Sequence, residues 1–343
     1  MFTPASQLNE MIHKSNIICG SGLALLLTLL GGVGCSKQQV VQSPAEGNFP
    51  ADHVIRVAPE VATTKGSYTT DNLAKFDLLV DDSNNPASKY TYSNTVFKKT
   101  ESGWTSDKML LWSKSDAEVL VYAIAPSVGL ESLVSVDDIS YGQNGVALEV
   151  KAEQTKDDCS SDYLGWASGK KKVSELLVTD GKLSFAFTHL LTRFTVTFNL
   201  GTEFNVSGVP AQDIISDVVV SGTARDFKLK GATGYTSFTV TPGTAASDIK
   251  PYNAGWTAAE NAQGNCSSVY ECILVPQTVA NGGLKISFKA AGKNYEWVSA
   301  EDYTLNGNTA YTLTLKVGKD VVIAGGFTAT AWTETPGGSL YTE

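Results

Sequence analysis

Few side chains in this sequence have the types and spacing that catalysis or metal binding requires. The chain holds three histidines, His13, His53 and His189, so most histidine-based metal sites and much acid–base catalysis are excluded. His189 lies in an apolar, alternating segment, which predicts a packed and hydrogen-bonded core residue. His53 lies in or just before the first expected strand, and we expect its side chain to be exposed.

Three pairs of aspartates are the other candidates for chemistry: Asp81-Asp82, Asp137-Asp138 and Asp157-Asp158. Paired carboxylates serve glycoside hydrolysis and calcium binding. Neighbouring residues on a strand face opposite sides, however, and the first pair runs into Ser-Asn-Asn-Pro, a loop composition without calcium-loop spacing. We therefore interpret all three pairs as solvated loops, and a hydrolase is the weakest hypothesis.

No motif for a nucleotide, a cofactor or a nucleic acid withstands inspection. The segment from Gly165 to Lys170 resembles a phosphate-binding loop but has one residue too few between its glycines. The formal net charge of −9 argues against a nucleic-acid partner, and we interpret Lys170 to Lys172 as a solvated turn. The sequence therefore predicts a protein that is not an enzyme and that binds no cofactor, metal or nucleic acid.

The N-terminus has the pattern of a lipoprotein signal. Lys14 precedes an apolar run from Ile17 to Leu30, and small residues follow it up to Cys35. A short apolar run behind a basic residue is typical of a secretory signal. We predict a signal peptide at 1–34 and acylation of Cys35, although Gly32 stands where leucine is usual. The alternative is an ordinary signal peptide with a chance cysteine.

Beyond a polar tether that ends near Pro50, the pattern is that of short strands separated by turn residues. The segments from Leu284 to Ala290 and from Tyr311 to Val317 alternate apolar and polar residues, as strands with one buried face do. Val119 to Ala125 is almost continuously apolar, which predicts a central strand ending at Pro126. We predict an all-β sandwich or barrel.

Two details of the second half are open to structural test. The apolar positions change from odd to even between Leu183 and Leu200, which predicts a bulge or a change of sheet near Thr192-Arg193. Cys266 and Cys272 are close enough in sequence to allow a disulfide in an exported protein. Cys272 shares a strand face with apolar residues, so we favour a buried free thiol there.

With these features, the chain resembles the fimbrillin family, the type V pilus subunits of certain Gram-negative anaerobes. The resemblance depends on the order of four segments: the signal ending at Cys35, Ile55 to Gly66, Leu183 to Val196, and Leu274 to Trp332. It implies two tandem transthyretin-like antiparallel β-sandwich domains, which we place at 66–180 and 181–343. A lipidated tether and removable first strand occupy 35–65.

The resemblance also implies that a trypsin-like protease removes the first strand and that subunits then polymerise by donating strands. Lys65 lies in a polar, glycine-containing junction, so we prefer it to Arg56, which lies inside the expected strand. The tail from Thr333 to Glu343 is short and polar for a donor strand. A shaft subunit, a tip or accessory subunit, and donation by the strands just before Trp332 therefore all stay open.

The partners implied are other fimbrial subunits, in a homopolymer or heteropolymer, and the outer membrane through the lipid anchor. A host or bacterial surface glycan or protein is the implied adhesion target, and the location is the outer membrane and then the surface fimbrium. The alternative is a surface lipoprotein that never polymerises and binds glycan through exposed tryptophans. Its candidate contacts are Trp104, Trp112, Trp166 and Trp256.

Overall fold

The computed structural model describes residues 47–61, 68–82, 88–128, 139 and 145–332. These residues are built almost entirely of strands. The strands are β1 (Arg56–Val61), β2 (Lys75–Asp82), β3 (Tyr92–Thr100), β4 (Gly103–Ser106), β5 (Glu118–Ala125), β6 (Val146–Glu149), β7 (Leu164–Ala167), β8 (Lys171–Lys172), β9 (Lys182–His189), β10 (Thr192–Leu200), β11 (Ile215–Ala224), β12 (Asp226–Gly231), β13 (Phe238–Pro242), β14 (Ala246–Ile249), β15 (Tyr252–Thr257), β16 (Cys266–Leu274), β17 (Gln277–Val279), β18 (Lys285–Ala290), β19 (Lys293–Val298), β20 (Tyr303–Leu305), β21 (Thr309–Val317) and β22 (Val322–Ala331). One short helix, α1, spans Val173–Leu176, and single 3-10 turns occupy Cys159–Ser161, Thr202–Asn205 and Gln212–Ile214. The predicted all-β class is confirmed.

The first sheet has the strand order β1-β9-β7-β5-β2-β3-β4, and β8 pairs with β5. The predicted central strand is confirmed, because β5 lies in the middle of this order. Every residue from Val119 to Ala125 is buried. Val121 and Ala123 belong to one apolar cluster, and Leu120 and Tyr122 belong to another. A strand covered on both faces requires an uninterrupted apolar run, which is what the sequence has here.

Four smaller sheets complete the fold. Their orders are β15-β16-β10-β21-β22, β14-β11-β18-β19, β13-β12-β6 and β17-β20. Pairing is antiparallel throughout the described strands except between β1 and β9 and between β10 and β21, which are parallel. The alternating segments predicted as strands form β18 and β21, and their apolar residues face the larger cluster, as expected.

The apolar positions between Leu183 and Leu200 change face because the chain changes sheet there, which is the second of the two predicted possibilities. β9 pairs with β1 and β7 in the first sheet, whereas β10 pairs with β16 and β21 in the second. Sheet membership therefore changes between His189 and Thr192. The division into two transthyretin-like domains stays a prediction.

The first sheet folds over on itself and encloses the smaller apolar cluster. Its two edge strands, β1 and β4, contact each other. The cluster between them includes Phe76, Phe97 and Phe187, with Leu110 and Trp112 from the segment that follows β4. The seam at which the sheet closes therefore lies along β1.

One expectation about the aspartates is wrong. Asp81 and Asp82 are the last two residues of β2 and are buried, with ladder partners Leu120 and Val119 on β5. The Asp82 carboxylate accepts a hydrogen bond from Ser88 Oγ at 2.9 Å. The pairing of β2 with β5 continues beyond the apolar residues of β2 because β5 is long enough to pair with both aspartates. Asp157 and Asp158 do precede a turn, and Asp137-Asp138 lies outside the described residues.

The cysteines within the described residues are free thiols. Cys266 and Cys272 lie at opposite ends of β16, opposite Leu200 and Phe194, so the strand itself holds them apart. The preference for a buried free thiol at Cys272 is confirmed. Burial raises the pKa of the Cys272 thiol well above its ordinary value.

Candidate functional site: the first strand and its groove

The first strand, β1, lies at the seam of the first sheet and contributes one apolar face to its core. It runs parallel to β9, from Arg56 opposite Lys182 to Val61 opposite Phe187. Alternate residues point inward, so Ile55 and the β1 residues Val57, Pro59 and Val61 are buried. The segment from Ile55 to Val61 therefore buries four apolar side chains.

The other side of this segment is held by the chain that follows β4. The amide of Ile55 donates to the carbonyl of Leu110 at 2.9 Å, and the amide of Trp112 donates to the carbonyl of His53 at 2.8 Å. His53 is half-buried, with φ near 60°, and its Nδ1 lies 3.1 Å from the Trp112 carbonyl oxygen. The expectation of an exposed His53 is therefore wrong, because its ring packs against this second wall of the groove.

The C-terminal end of β1 is closed by a side-chain clamp across residues 62–67. The amide of Val61 donates to Thr70 Oγ1 at 2.8 Å, and the same hydroxyl donates to the Val61 carbonyl at 3.1 Å. Lys65, the preferred cleavage site, lies outside the described residues, as does Cys35. The described residues Val61 and Tyr68 flank the segment that contains Lys65.

Arg56, the alternative cleavage site, is the first residue of β1. Its backbone pairs with Lys182, while its side chain is about half exposed. Its guanidinium donates to both oxygens of Asp52, at 3.0 and 2.6 Å. These bonds lower the pKa of Asp52 to about 2 and raise the pKa of Arg56. A protease needs a free, extended backbone, and both the ladder and the ion pair oppose that at Arg56.

Removing β1 would expose a large part of the smaller apolar cluster. Full burial of an isoleucine or valine side chain contributes roughly 1.5–3 kcal/mol, so Ile55, Val57 and Val61 together contribute roughly 4.5–9 kcal/mol. A whole domain has a net stability of about 5–15 kcal/mol. The groove left between β9 and the segment after β4 would carry unpaired backbone groups along an apolar floor, which is a site for an incoming strand.

A second exposed edge lies at the other end of the sequence. β22 pairs with β21 on one side and forms the edge of its sheet. Eight of its ten residues are exposed, and only Val322 and Phe327 are half-buried. It contains no charged residue and no proline, which are the usual means of protecting an edge. The sequence alone does not reveal this exposure, because Phe327 to Ala331 alternate apolar residues with threonine, as a strand with one buried face does.

The residue after β22 is fixed in the core next to the end of β9. The Trp332 ring stacks on the His189 ring at 3.9 Å between centroids and 9° between planes. His189 Nδ1 lies 2.8 Å from Asp162 Oδ1, so Nδ1–H donates to the carboxylate. The other carboxylate oxygen accepts from the Tyr68 amide at 3.2 Å. The predicted packed and hydrogen-bonded role of His189 is confirmed.

The tryptophans proposed as glycan contacts mostly serve the core. Trp112 is buried, which contradicts its expected exposure. Trp104 packs its edge against Phe76, and Trp166 stacks on Phe185 at 4.7 Å, so both are half-buried in the smaller cluster. Trp256 is half-buried against the larger cluster. No flat, fully exposed aromatic platform is formed by these four residues.

Within the described residues, no group of three histidine, cysteine, aspartate or glutamate side chains could hold a metal ion. None of the helices in that part of the chain has the length and apolar character needed to cross a bilayer. The described histidines serve packing, since His53 contacts Phe49 and His189 contacts Trp332.

Comparison with known families decides what this architecture is. The fimbrillin-like family model matches residues 61–332. The chain belongs to the fimbrillin-like family. The match spans all of the described strands after β1, and it agrees with the resemblance drawn from the order of the sequence segments.

Solved structures show the same fold at low sequence identity. A putative cell adhesion protein from Bacteroides ovatus aligns with a TM-score of 0.53 and 14% identity, covering 82% of this chain and 98% of that one. A putative cell adhesion protein from Bacteroides uniformis aligns with a TM-score of 0.51 and 16% identity, covering 81% of this chain and 99% of that one. The tip fimbrial protein Mfa3 from Porphyromonas gingivalis, with a C-terminal truncation, aligns with a TM-score of 0.51 and 9% identity. The alignment covers 81% of this chain and 98% of that one. A comparison with curated protein sequences finds no match.

Proposed function

We propose that this fimbrillin-like protein is a subunit of a surface fimbria that serves adhesion, and that it assembles by strand exchange after proteolytic removal of β1. The observation that carries the proposal is the placement of β1 at the seam of the first sheet, where it fills an apolar groove and is followed by the segment 62–67. Family membership and the fimbrial and adhesion neighbours support the same role.

Removal of β1 would produce an acceptor for another subunit. The parallel ladder on β9 holds β1 on one side. On the other side, just before β1, the Ile55 amide donates to the Leu110 carbonyl and the His53 carbonyl accepts from the Trp112 amide, so an incoming strand would regain backbone pairs on both sides. It would also regain most of the roughly 4.5–9 kcal/mol that the three inward aliphatic residues contribute. Exchange of one strand for another is thus nearly neutral in backbone hydrogen bonds, and the apolar residues decide its direction.

The donor in this proposal is β22, the uncharged edge strand before Trp332. Its exposure means that its release would uncover little apolar surface apart from Phe327 and Trp332. The tail 333–343 lies outside the described residues. Whether the subunit occupies a shaft or a tip depends on whether β22 is released, and the experiment below separates the two.

The remaining parts of the proposal concern location and chemistry. Export as a lipoprotein acylated at Cys35 would hold the precursor at the outer membrane until maturation, because two or more acyl chains anchor a protein durably. The proposed role needs no cofactor and no catalytic residue. A non-polymerising glycan-binding lipoprotein is the weaker alternative, since Trp112 is buried and Trp104 and Trp166 pack in the core.

The test follows assembly of the purified precursor, without its signal peptide, before and after limited trypsin treatment. We expect cleavage at Lys65, mapped by mass spectrometry, followed by oligomers that persist in mild denaturant on size-exclusion chromatography. Lys65→Ala should block both steps while leaving the fold intact by circular dichroism. Lys170→Ala removes an equally basic, exposed residue in a turn and is the matched control, which should mature normally.

The result of this experiment distinguishes assembly by strand exchange from the alternative functions. Polymerisation of uncleaved precursor, or maturation of the Lys65→Ala protein at Arg56, would contradict the proposed role of cleavage at Lys65. A cleaved protein that loses β1 and stays monomeric at high concentration would support the tip or glycan-binding reading instead.

A further inference from the structure

A buried cluster of three side chains connects the surroundings of β1 to the end of β22. Asp162 lies just before β7, His189 is the last residue of β9, and Trp332 directly follows β22. All three side chains are almost completely buried. We call this the Asp162–His189–Trp332 cluster.

The cluster is joined to β1 by two separate routes. Along β9, the ladder partner of Val61 is Phe187, two residues before His189. Along the chain, the segment 62–67 leads from β1 to Tyr68, whose amide donates to Asp162 Oδ2 at 3.2 Å. Loss of β1 would turn β9 into a sheet edge and would free the chain before Tyr68. Both supports of the cluster would weaken together.

The cluster is joined to β22 at a single point. The stacking of Trp332 on His189, with the Trp332 amide donating to the Asn308 carbonyl at 3.1 Å, fixes the C-terminal end of an otherwise exposed strand. No residue of β22 itself is fully buried. Besides the ladder with β21 and the packing of Phe327 on Tyr303 and Tyr311, Trp332 is therefore the buried anchor at the C-terminal end of the strand.

The cluster is also incompletely satisfied. His189 Nε2 and Trp332 Nε1 are both buried and have no hydrogen-bond partner among the described residues. Buried polar atoms without partners are rare in folded proteins and raise the free energy of the arrangement that contains them. The cluster therefore depends on β9 and on the Tyr68 amide to hold it in place, and it should be sensitive to the loss of either.

We propose that the Asp162–His189–Trp332 cluster couples the occupancy of the β1 groove to the release of β22. While β1 is in place, β9 and Tyr68 hold His189 and Asp162 in position, and Trp332 keeps β22 docked. Departure of β1 loosens His189, and β22 detaches at its Trp332 end. The inference rests on the proposed function, because it gives the strand-exchange cycle an order in which the acceptor groove opens before the donor is freed.

The coupling is testable in the intact precursor, without cleavage or polymerisation, by hydrogen–deuterium exchange of residues 322–331. Val57→Ala weakens the packing of β1 and should raise the exchange rate of β22 by about 5-fold or more. About 5-fold is the lower limit of the effects that energetically coupled sites typically have on each other. Val220→Ala truncates a fully buried valine of β11, outside both sheets involved, and is the matched control. It should leave exchange in β22 unchanged.

Positioning by the cluster is tested with Asp162→Asn, which weakens the acceptor for both His189 and Tyr68 with little change in shape. In this background, exchange in β22 should already be fast, and adding Val57→Ala should raise it no further. Glu271→Gln weakens a largely buried ion pair with Arg193 elsewhere in the fold and should preserve the full response to Val57→Ala.

Two results would overturn the inference: β22 exchange that does not respond to Val57→Ala, or a response that persists unchanged in Asp162→Asn. Neither result bears on polymerisation itself. A precursor that shows the coupling but never assembles after trypsin would refute the strand-exchange function and leave the coupling intact.

Discussion

Truncation of Phe187 to alanine should be among the most destabilising single changes in the first sheet. Phe187 is 2% exposed and its ring lies 5.7 Å from Phe76 and 5.2 Å from Phe185. It is also the ladder partner of Val61, the last residue of β1. Its removal leaves a cavity beneath the C-terminal end of β1.

Loss of a fully buried phenylalanine costs about 3–5 kcal/mol, from lost transfer free energy and the cavity together. A net stability of about 5–15 kcal/mol would leave the variant folded but much weaker. Leu313→Ala, which truncates a fully buried residue of β21, should cost about 2–5 kcal/mol. Lys285→Ala and Thr314→Ala alter residues on the opposite faces of β18 and β21 and should stay within about 0.5 kcal/mol.

The assay is urea unfolding at neutral pH, followed by tryptophan fluorescence, with the free energy taken from the midpoint and slope. Similar values for Phe187→Ala and Lys285→Ala would refute the assignment of the faces. A large loss at Leu313 with a negligible loss at Phe187 would mean that the smaller cluster contributes little, and the argument for the β1 groove would lose its energetic basis.

Three further predictions concern anchoring, acid stability and thiol reactivity. Cys35→Ala should abolish incorporation of radiolabelled fatty acid, and unchanged labelling would contradict the lipoprotein assignment. Hydrogen bonds from Lys151 and Ser160 lower the pKa of Asp158 to about 2, so the stabilisation is present above about pH 4 and is lost as pH falls towards 2. Asp158→Asn should flatten the stability–pH curve in that window, and an unchanged curve would show that the ion pair contributes nothing. Burial raises the pKa of the Cys272 thiol, so it should react with a thiol reagent only on unfolding, while the half-buried Cys159 reacts first; equal rates in the native protein would contradict this order.

Local patterns in the sequence predict the strands but not their partners. Alternation identifies β18 and β21, and the uninterrupted apolar run identifies β5, because burial on one or two faces leaves a direct signature. The parallel pairing of β1 with β9 leaves none, since it depends on two segments far apart in the sequence. The composition after Val80 predicts a loop at Asp81-Asp82, whereas the length of β5 extends the ladder through both residues.

The candidate site divides in the same way. The core role of His189 follows from the neighbouring residues in its segment and is confirmed. The stacking of Trp332 on His189 and the bond from Tyr68 to Asp162 join three distant segments, and no spacing rule connects them. The burial of Trp112 likewise depends on the closure of the first sheet, which places the segment after β4 over the smaller cluster.

One residue opposes the stability of the first sheet. Asn94 lies in β3 where the register with β2 shifts, between the pairs Leu78–Thr95 and Val80–Tyr92, and its φ is 28°. Its side chain is buried, and neither amide atom has a hydrogen-bond partner among the described residues. A buried, unpaired polar group costs about 1–3 kcal/mol, and a left-handed backbone favours glycine.

Asn94→Gly should therefore leave the free energy of unfolding unchanged or raise it by up to about 2 kcal/mol, in contrast to most buried substitutions. Asn94→Ala removes the same amide but keeps a Cβ at the strained φ, so it should be the less stable of the two. Urea unfolding of both variants beside the native protein measures the difference. A loss of more than about 1 kcal/mol in Asn94→Gly would mean that the amide has a partner in solution, and that the bulge in β3 is stabilised by this side chain rather than strained by it.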